Sequence, residues 1–444
     1  MGLLERVREA EATASGVEEL RDAQGQVRER LKHELVERLG LETVAGMLAS
    51  GGVEQARDEL SVACRAILNT GTFEGVTAEA RERLVRQVAD EVCGLGPIQP
   101  LLEDERVTEV MINGCDALFY EREGELKQSD LRFDSPEQIL VAIDRILAPL
   151  GRRLDRASPL VDARLPNGDR VNAVDASVAV NGPLVTIRKF SSEVRTLAAL
   201  VELGSLPGWY ATLLAWAVRA RRSIAVAGGT GSGKTTLLNA LSCEIGCDER
   251  IVTIEDSAEL RFDTHPDVAR LEARGASIEG QGEITIRDLV RNSLRMRPDR
   301  IVVGEVRGEE CVDMLQAMNT GHDGSMTTLH AGSAEEAVLR LVLMARFGMD
   351  LPADIIEEQI ASAIDLIVMS RRLADGTRLI TTASEVGWEE GRIVLHECVA
   401  FDLSARSWEL VREPAFLASA VADGILDGEE VEAWRQACTS SSRS

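Results

Sequence analysis

The sequence predicts an α/β protein: a mostly parallel sheet covered by helices, preceded by an α+β domain and an N-terminal helical segment. Three observations carry that expectation. From about Leu197 apolar strand-like runs and helical stretches alternate, with SIAVAGG before a helix from Lys234, then RIVTIED, RIVVGE and GSMTTLH. Between Pro97 and about Phe190 short β-rich runs replace that alternation. Before residue 95, charged and apolar residues repeat at helical spacing.

Residues 1–95 contain VEELRDAQGQVRERLKHELVERLG and AEARERLVRQVADEVCGLG, with breaks near Ser50–Gly52 and Gly71–Gly75. They read as a solvated helical spacer with no catalytic role. Residues 96–192 form the α+β domain. Its strands are VTEVMING, ALFYE, RVNAVDA and LVTIRKF, and one helix opens at Ser135-Pro136, an N-cap followed by Pro at the first helical position. Residues 193–412 form the larger domain, closing with DLIVMSRR, RLITTASEV and RIVLHECVAFD as an antiparallel extension of the sheet. Residues 413–444 read as a tail, with TSSSRS a loose end.

At 444 residues the chain exceeds what one core organises. Its 45% hydrophobic and 28% charged residues are ordinary for a globular protein. A formal charge of −25 argues against a surface that grips nucleic acid throughout, so no direct nucleic-acid partner is expected. The eight cysteines lack CxxC spacing and no apolar signal segment opens the chain, which fits a reducing cytoplasm. Cys243 and Cys247 stand one helical turn apart; with no further Cys/His pair they read as buried thiols, not metal ligands. The longest uncharged run, Gly204–Val218, falls short of the roughly 18 residues a spanning helix needs.

The chemistry centres on GGTGSGKT, residues 228–235, which fits G-x-x-x-x-G-K-[ST] and lies between the apolar run SIAVA and the helical run TTLLNALSCEI. Gly228, Gly231 and Gly233 let the backbone bend, so that N–H groups of Gly229, Thr230, Ser232 and their neighbours converge on phosphates at a helix N-terminus. Lys234 supplies a point charge to the β- and γ-phosphates, and Thr235, followed by Thr236, offers a hydroxyl to Mg²⁺. The chain has only four lysines, so a Lys at this position is hard to ascribe to composition. GTGSG is also not the GxGxxG of dinucleotide folds.

Two apolar runs end in acids: RIVTI at Glu255-Asp256, with Glu259 a turn later, and RIVVG at Glu305. Strand carboxyl ends beside a phosphate loop are where a Mg²⁺ ligand and a water-activating base belong. Glu305 is assigned the γ-phosphate side and water polarisation, with Glu255 or Glu259 as the competing base. His322 and His330 flank GSMTTL and are expected to sense the γ-phosphate or order water. Between residues 145 and 195, nine basic side chains face five acids, a patch able to cover a neighbour's ATP.

These motifs resemble those of the type II/type IV secretion system ATPase superfamily, and within it the Flp/Tad pilus assembly, CpaF-like branch. The resemblance spans about Gly94–Phe401. It rests on DARLPNGDRVNAV, LVTIRKF, AGGTGSGKTTLLNAL, RIVTIEDSAEL, the stretch from VARLEARGASIEGQGEITIRDLVRNSLRMRPDRIVVGEVRGEE, DMLQAMNTGHDGSMTTLHAGS and IASAIDLIV. It implies a RecA-like P-loop NTPase domain, a PAS-like N-terminal domain, and a homohexamer binding ATP with Mg²⁺ between the two. The ring would sit in the cytoplasm at the inner face of the membrane, driving an integral membrane platform protein in pilus assembly or protein secretion; a RecA-like nucleic-acid motor is the alternative, since the core fold alone does not choose a substrate. By position Glu255 and Glu259 fall in the family's aspartate box, Glu305 in its Walker B, and His322 and His330 in its histidine box. Arg164, Arg170 and Arg188 resemble the N-terminal-domain groups that approach nucleotide. One departure is Gly332, where relatives carry Asn; no tetracysteine zinc module is present either.

Overall fold

A computed structural model describes residues 27–40, 52–69, 73, 77–165, 167–189, 196–262, 265–275 and 281–441. The first 26 residues of the expected helical segment lie outside these, as does the extreme TSSSRS end beyond Ser441. The chain divides into two units, Met1–Phe190 and Ser191–Ser444.

In the first unit, a helix at 27–39 is followed by helices Gly52–Leu68 and Ala78–Cys93. Where a solvated spacer was expected, the helices share a dry core of Leu31, Leu35, Leu60, Cys64, Leu84 and Val88. The third begins at Thr77, whose side chain accepts the Ala80 N–H and so satisfies an otherwise unpaired donor. Arg57 then ties to the buried Asp90 at 2.6 Å.

Among the described residues six antiparallel strands follow: β1 (Val107–Asn113), β2 (Leu118–Arg122), β3 (Glu125–Gln128), β4 (Leu160–Arg164), β5 (Arg170–Val174) and β6 (Leu184–Arg188). They pair in the order β3-β2-β1-β6-β5-β4. Val171, Ala173, Val185 and Ile187 point to one face, as period-two alternation requires, and pack with Ile139 and Ile143 of helix Pro136–Leu147. That helix starts as expected, with Ser135 accepting from the Gln138 N–H. The two strands that sequence patterning missed, β3 and β4, are the sheet's two edges; β3 in particular is largely exposed and lacks an apolar face to read.

Among its described residues the second unit holds nine strands: β7 (Ile224–Gly228), β8 (Ile251–Glu255), β9 (Val268–Glu272), β10 (Arg300–Val303), β11 (Met326–His330), β12 (Leu366–Arg372), β13 (Arg378–Glu389), β14 (Arg392–Asp402) and β15 (Ser407–Leu410). Their order is β15-β14-β13-β12-β7-β11-β10-β8-β9. From β12 to β9 the pairing is parallel, and from β12 to β15 antiparallel. Both faces of the sheet's centre are covered, and the inner strands β7, β8 and β10 are buried along their whole length. Along β7, Ile224 and Val226 join the core with helices Gly208–Arg219 and Lys234–Ser242. Ala225 and Ala227 join that of helices Glu310–Asn319, Ala334–Gly348 and Ala353–Ala363.

Residues beyond 412 are not a loose tail in the described region. Helices Phe416–Ala422 and Gly428–Ser441 complete the first of these cores, with Trp434 Nε1 donating to the Trp209 carbonyl at 2.7 Å. Cys243 and Cys247 are exposed, not buried as expected, because the helix ends at Ser242 and the chain turns outward. Among the described residues no helix is long and apolar enough to cross a membrane, and no cluster of His, Cys, Asp and Glu is arranged to hold a metal.

Candidate functional site

The site is built at the carboxyl ends of the parallel strands. β7 is buried along its whole length and delivers the chain to Gly228. Gly228 is glycine for a reason the motif alone does not give: a Cβ there would collide with the Ser370 carbonyl on β12 and lie 2.6 Å from Ser232 Oγ. Gly231 and Gly233 supply the turn itself, with φ of 69° and 96° in the left-handed region where only glycine is unstrained. Gly233 is the N-cap of helix Lys234–Ser242 and has no side chain to close it, so the first-turn N–H groups are disposed toward an anion. Gly229 and Thr230 are exposed at the loop's outer side, and Thr235 and Thr236 lie half-buried in the first helical turn.

Lys234 is buried, and its Nζ donates to the Gly229 carbonyl at 3.0 Å. It also lies 3.4 Å from Nδ1 of His330. β11 runs between β7 and β10, in register so that His330 stands beside Gly228. The other imidazole nitrogen, Nε2, is 2.8 Å from Oε1 of Glu305, just past the end of β10. Arg307 holds the second Glu305 oxygen at 2.6 Å and lies 4.0 Å from Asp256. Burial and the Lys234 ammonium push the His330 pKa below the ordinary histidine value, against the opposing pull of Glu305. A neutral ring facing an ammonium must present the lone pair of Nδ1, which places its proton on Nε2; Glu305 Oε1 is close to that nitrogen but has no hydrogen-bond partner.

Glu255 ends β8 and is buried. Its Oε1 accepts the N–H groups of Glu259 and Leu260 at 2.7 and 3.0 Å, fastening the segment after the strand. Burial raises its pKa, the two N–H donors notwithstanding, and Oε2 has no hydrogen-bond partner. The backbone of Glu259 is thus tied to Glu255, while its charge acts on Arg307.

Not all expected site residues are brought together. His322 lies before β11, at the opposite end of the strand from His330, with Nδ1 3.0 Å from the Ala317 carbonyl. Arg164, Arg170 and Arg188 belong to the first unit. They form one cross-strand row on β4, β5 and β6, with Glu109 of β1 opposite Arg188. Sequence reasoning missed Arg307, although its spacing from Glu305 was visible. It also missed Ser370 and Arg378, whose place beside the loop only the fold reveals.

A profile described as "Type II/IV secretion system protein" matches residues 91–406, which include every strand-end acid and the whole phosphate loop. The chain belongs to this family. It is 39% identical over 316 residues to a putative conjugal transfer protein of Mycobacterium tuberculosis, covering 70% of this chain and 89% of that one. It is 33% identical over 324 residues to the type IV secretion system protein VirB11 of Brucella suis, covering 67% and 90%. Among solved structures, the Brucella suis VirB11 ATPase in complex with sulphate is 32% identical, covering 65% of this chain and 95% of that one, with a TM-score of 0.36. Membership of the secretion family agrees with the phosphate loop and the α/β sheet that carries it. The matched stretch leaves out most of the three-helix layer and both C-terminal helices.

Proposed function

We propose that this chain is an ATP-hydrolysing motor, a homohexamer at the cytoplasmic face of a membrane, driving an integral membrane platform protein in pilus assembly or protein secretion of the Flp/Tad kind. The observation that carries the hydrolytic part is the series Lys234, His330, Glu305, which joins the phosphate loop to a strand-end carboxylate.

The residues present fit a nucleotide. Ser232 Oγ is buried in the loop without a hydrogen-bond partner, and the helix N-terminus has no side-chain cap. Lys234 exchanges the Gly229 carbonyl for the β- and γ-phosphate oxygens. Thr235 and Glu305 would hold Mg²⁺, which neutralises phosphate charge as it develops. Glu305 polarises the attacking water, with its orientation set by His330 and Arg307. Glu255 positions the segment carrying Glu259. Arg164, Arg170 and Arg188 act on a neighbouring subunit's nucleotide; their alignment in one row supports that reading.

The deciding measurement is steady-state turnover of ATP by the purified full chain with its Lys234→Ala and Glu305→Gln variants. Loss of turnover in both, with ATP still bound by Glu305→Gln, is the expected outcome; undiminished hydrolysis in Lys234→Ala removes the assignment. Mass measurement with and without ATP tests the hexamer, and co-purification of a membrane protein with Glu305→Gln tests the platform partner.

A further inference from the structure

We propose that the β12–β13 hairpin is the strut of the phosphate loop, with Ser370 and Arg378 as positioning residues for ATP; this rests on the ATPase reading above. Both strands of the hairpin reach the loop. On β12, Ser370 stands in register with Gly228, and its Oγ donates to the Ser232 carbonyl at 2.6 Å. On β13, Arg378 Nε donates to the Gly231 carbonyl at 3.0 Å, and its Cδ lies 3.6 Å from where a Cβ on Gly233 would sit. Arg372, paired directly across the hairpin from Arg378, places Nη1 3.5 Å from the corresponding point on Gly231.

The consequence follows from peptide geometry. A planar trans peptide points its C=O and N–H in opposite directions, so fastening the oxygen aims the hydrogen. With the Ser232 oxygen held by Ser370, the Gly233 N–H turns away from the hairpin. With the Gly231 oxygen held by Arg378, the Ser232 N–H turns inward, where it meets the Gly229 carbonyl at 3.4 Å. Carbonyl oxygens facing the site would repel phosphate. The hairpin draws two of them outward and leaves N–H groups on the nucleotide side. The approach is close enough that position 228 admits no side chain.

Because the hairpin orients the loop equally for bound ATP and for the transition state, its loss is uniform binding loss, raising KM with kcat little changed. The test is steady-state kinetics of full-length Ser370→Ala, Arg378→Ala and Arg378→Lys, with urea unfolding midpoints measured alongside. We expect KM for ATP to rise about fivefold to tenfold in each alanine variant, the effect of one lost hydrogen bond. Arg378→Lys, which keeps a donor and the charge, should recover part of that. Arg378 is solvent-exposed, so its variant tests the idea even if Ser370→Ala fails to fold. Hydrolysis by the wild type with KM unchanged in both alanine variants overturns the hairpin proposal alone; a wild type that binds no ATP overturns both.

Discussion

Nε2 of His330 lies 2.8 Å from Oε1 of Glu305, and the same ring turns Nδ1 toward Lys234 at 3.4 Å. Its strand, β11, lies between the loop strand and the strand that ends before Glu305. The histidine thus links Lys234 of the loop to the carboxylate through one rigid element. His330→Ala should lower kcat by about a hundredfold through misplacement of Glu305, with smaller change in ATP binding. His330→Gln, which keeps a polar group beside Glu305, should recover a measurable part. Equal losses in the two variants would exclude the positioning role.

The same histidine sets a pH dependence whose sign is fixed by its surroundings. The groups acting on it are Lys234, Arg307 and Arg340, which disfavour protonation together with burial, and Glu305, which favours it. Its folded-state pKa lies below the ordinary value, so the unfolded chain binds this proton more readily and acid favours unfolding. Stability contributed at neutral pH is therefore lost as pH falls through the ordinary histidine range. Urea midpoints measured between about pH 7 and pH 5 should fall less steeply for His330→Gln than for the wild type. An identical slope would place the titration elsewhere.

Glu255 presents the opposite balance. Its pKa is raised by burial, and one of its oxygens has no hydrogen-bond partner, so the ionised form costs stability in the folded state. That cost builds as pH rises from the ordinary glutamate range through the raised folded pKa. Glu255→Gln keeps an oxygen for the N–H groups of Glu259 and Leu260 while removing the charge. It should stabilise the chain by about 1 kcal/mol in urea denaturation at pH 7. A buried charge retained at such a cost belongs in a site that uses it, so turnover should fall in the same variant. A destabilised variant would show that the two donors outweigh the burial.

How much of this was legible in the sequence depended on how locally each part is encoded. The phosphate loop and its helix are contiguous, so Lys234 and Thr235 could be placed from the motif. Glu255 and Glu305 follow apolar runs whose ends mark strand ends. The Ser370 and Arg378 contacts could not be read, because they join segments more than a hundred residues apart. Strands β3, β4, β9 and β15 were missed as edge strands, which are not buried on both faces. The sequence beyond residue 412 reads as a tail, although Val431, Trp434 and Cys438 recur at the spacing of one helical face and all are buried.

Arg307 joins two acidic segments, holding Glu305 at 2.6 Å and lying within 4.0 Å of Asp256. An arginine so placed orients the carboxylate opposite His330, and its removal leaves Glu305 held from one side. Arg307→Ala should reduce kcat roughly tenfold, the kinetic equivalent of one charge-assisted hydrogen bond, with KM for ATP nearly constant. Arg307→Lys should fall between, since an ammonium supplies the charge without the fork geometry. A larger effect on KM than on kcat would assign Arg307 to nucleotide binding instead.

Trp434 is where the C-terminal helices are fastened to the sheet's covering layer. Its indole packs edge-on to Trp216 at 5.7 Å and to Trp209 at 6.5 Å, and its N–H is satisfied by the Trp209 carbonyl at 2.7 Å. Removing that ring opens a cavity within the core that also contains Leu237 and Leu241 of the helix following the phosphate loop. Trp434→Ala should cost about 3–5 kcal/mol in urea denaturation. Trp434→Phe, which retains most of the ring volume but loses the N–H donor, should cost less. Because Trp434 does not touch the loop, the folded fraction should keep a normal KM for ATP. Wild-type stability in Trp434→Ala would mean that the segment after residue 412 is dispensable to this core, and a chain ending there should then fold unaided.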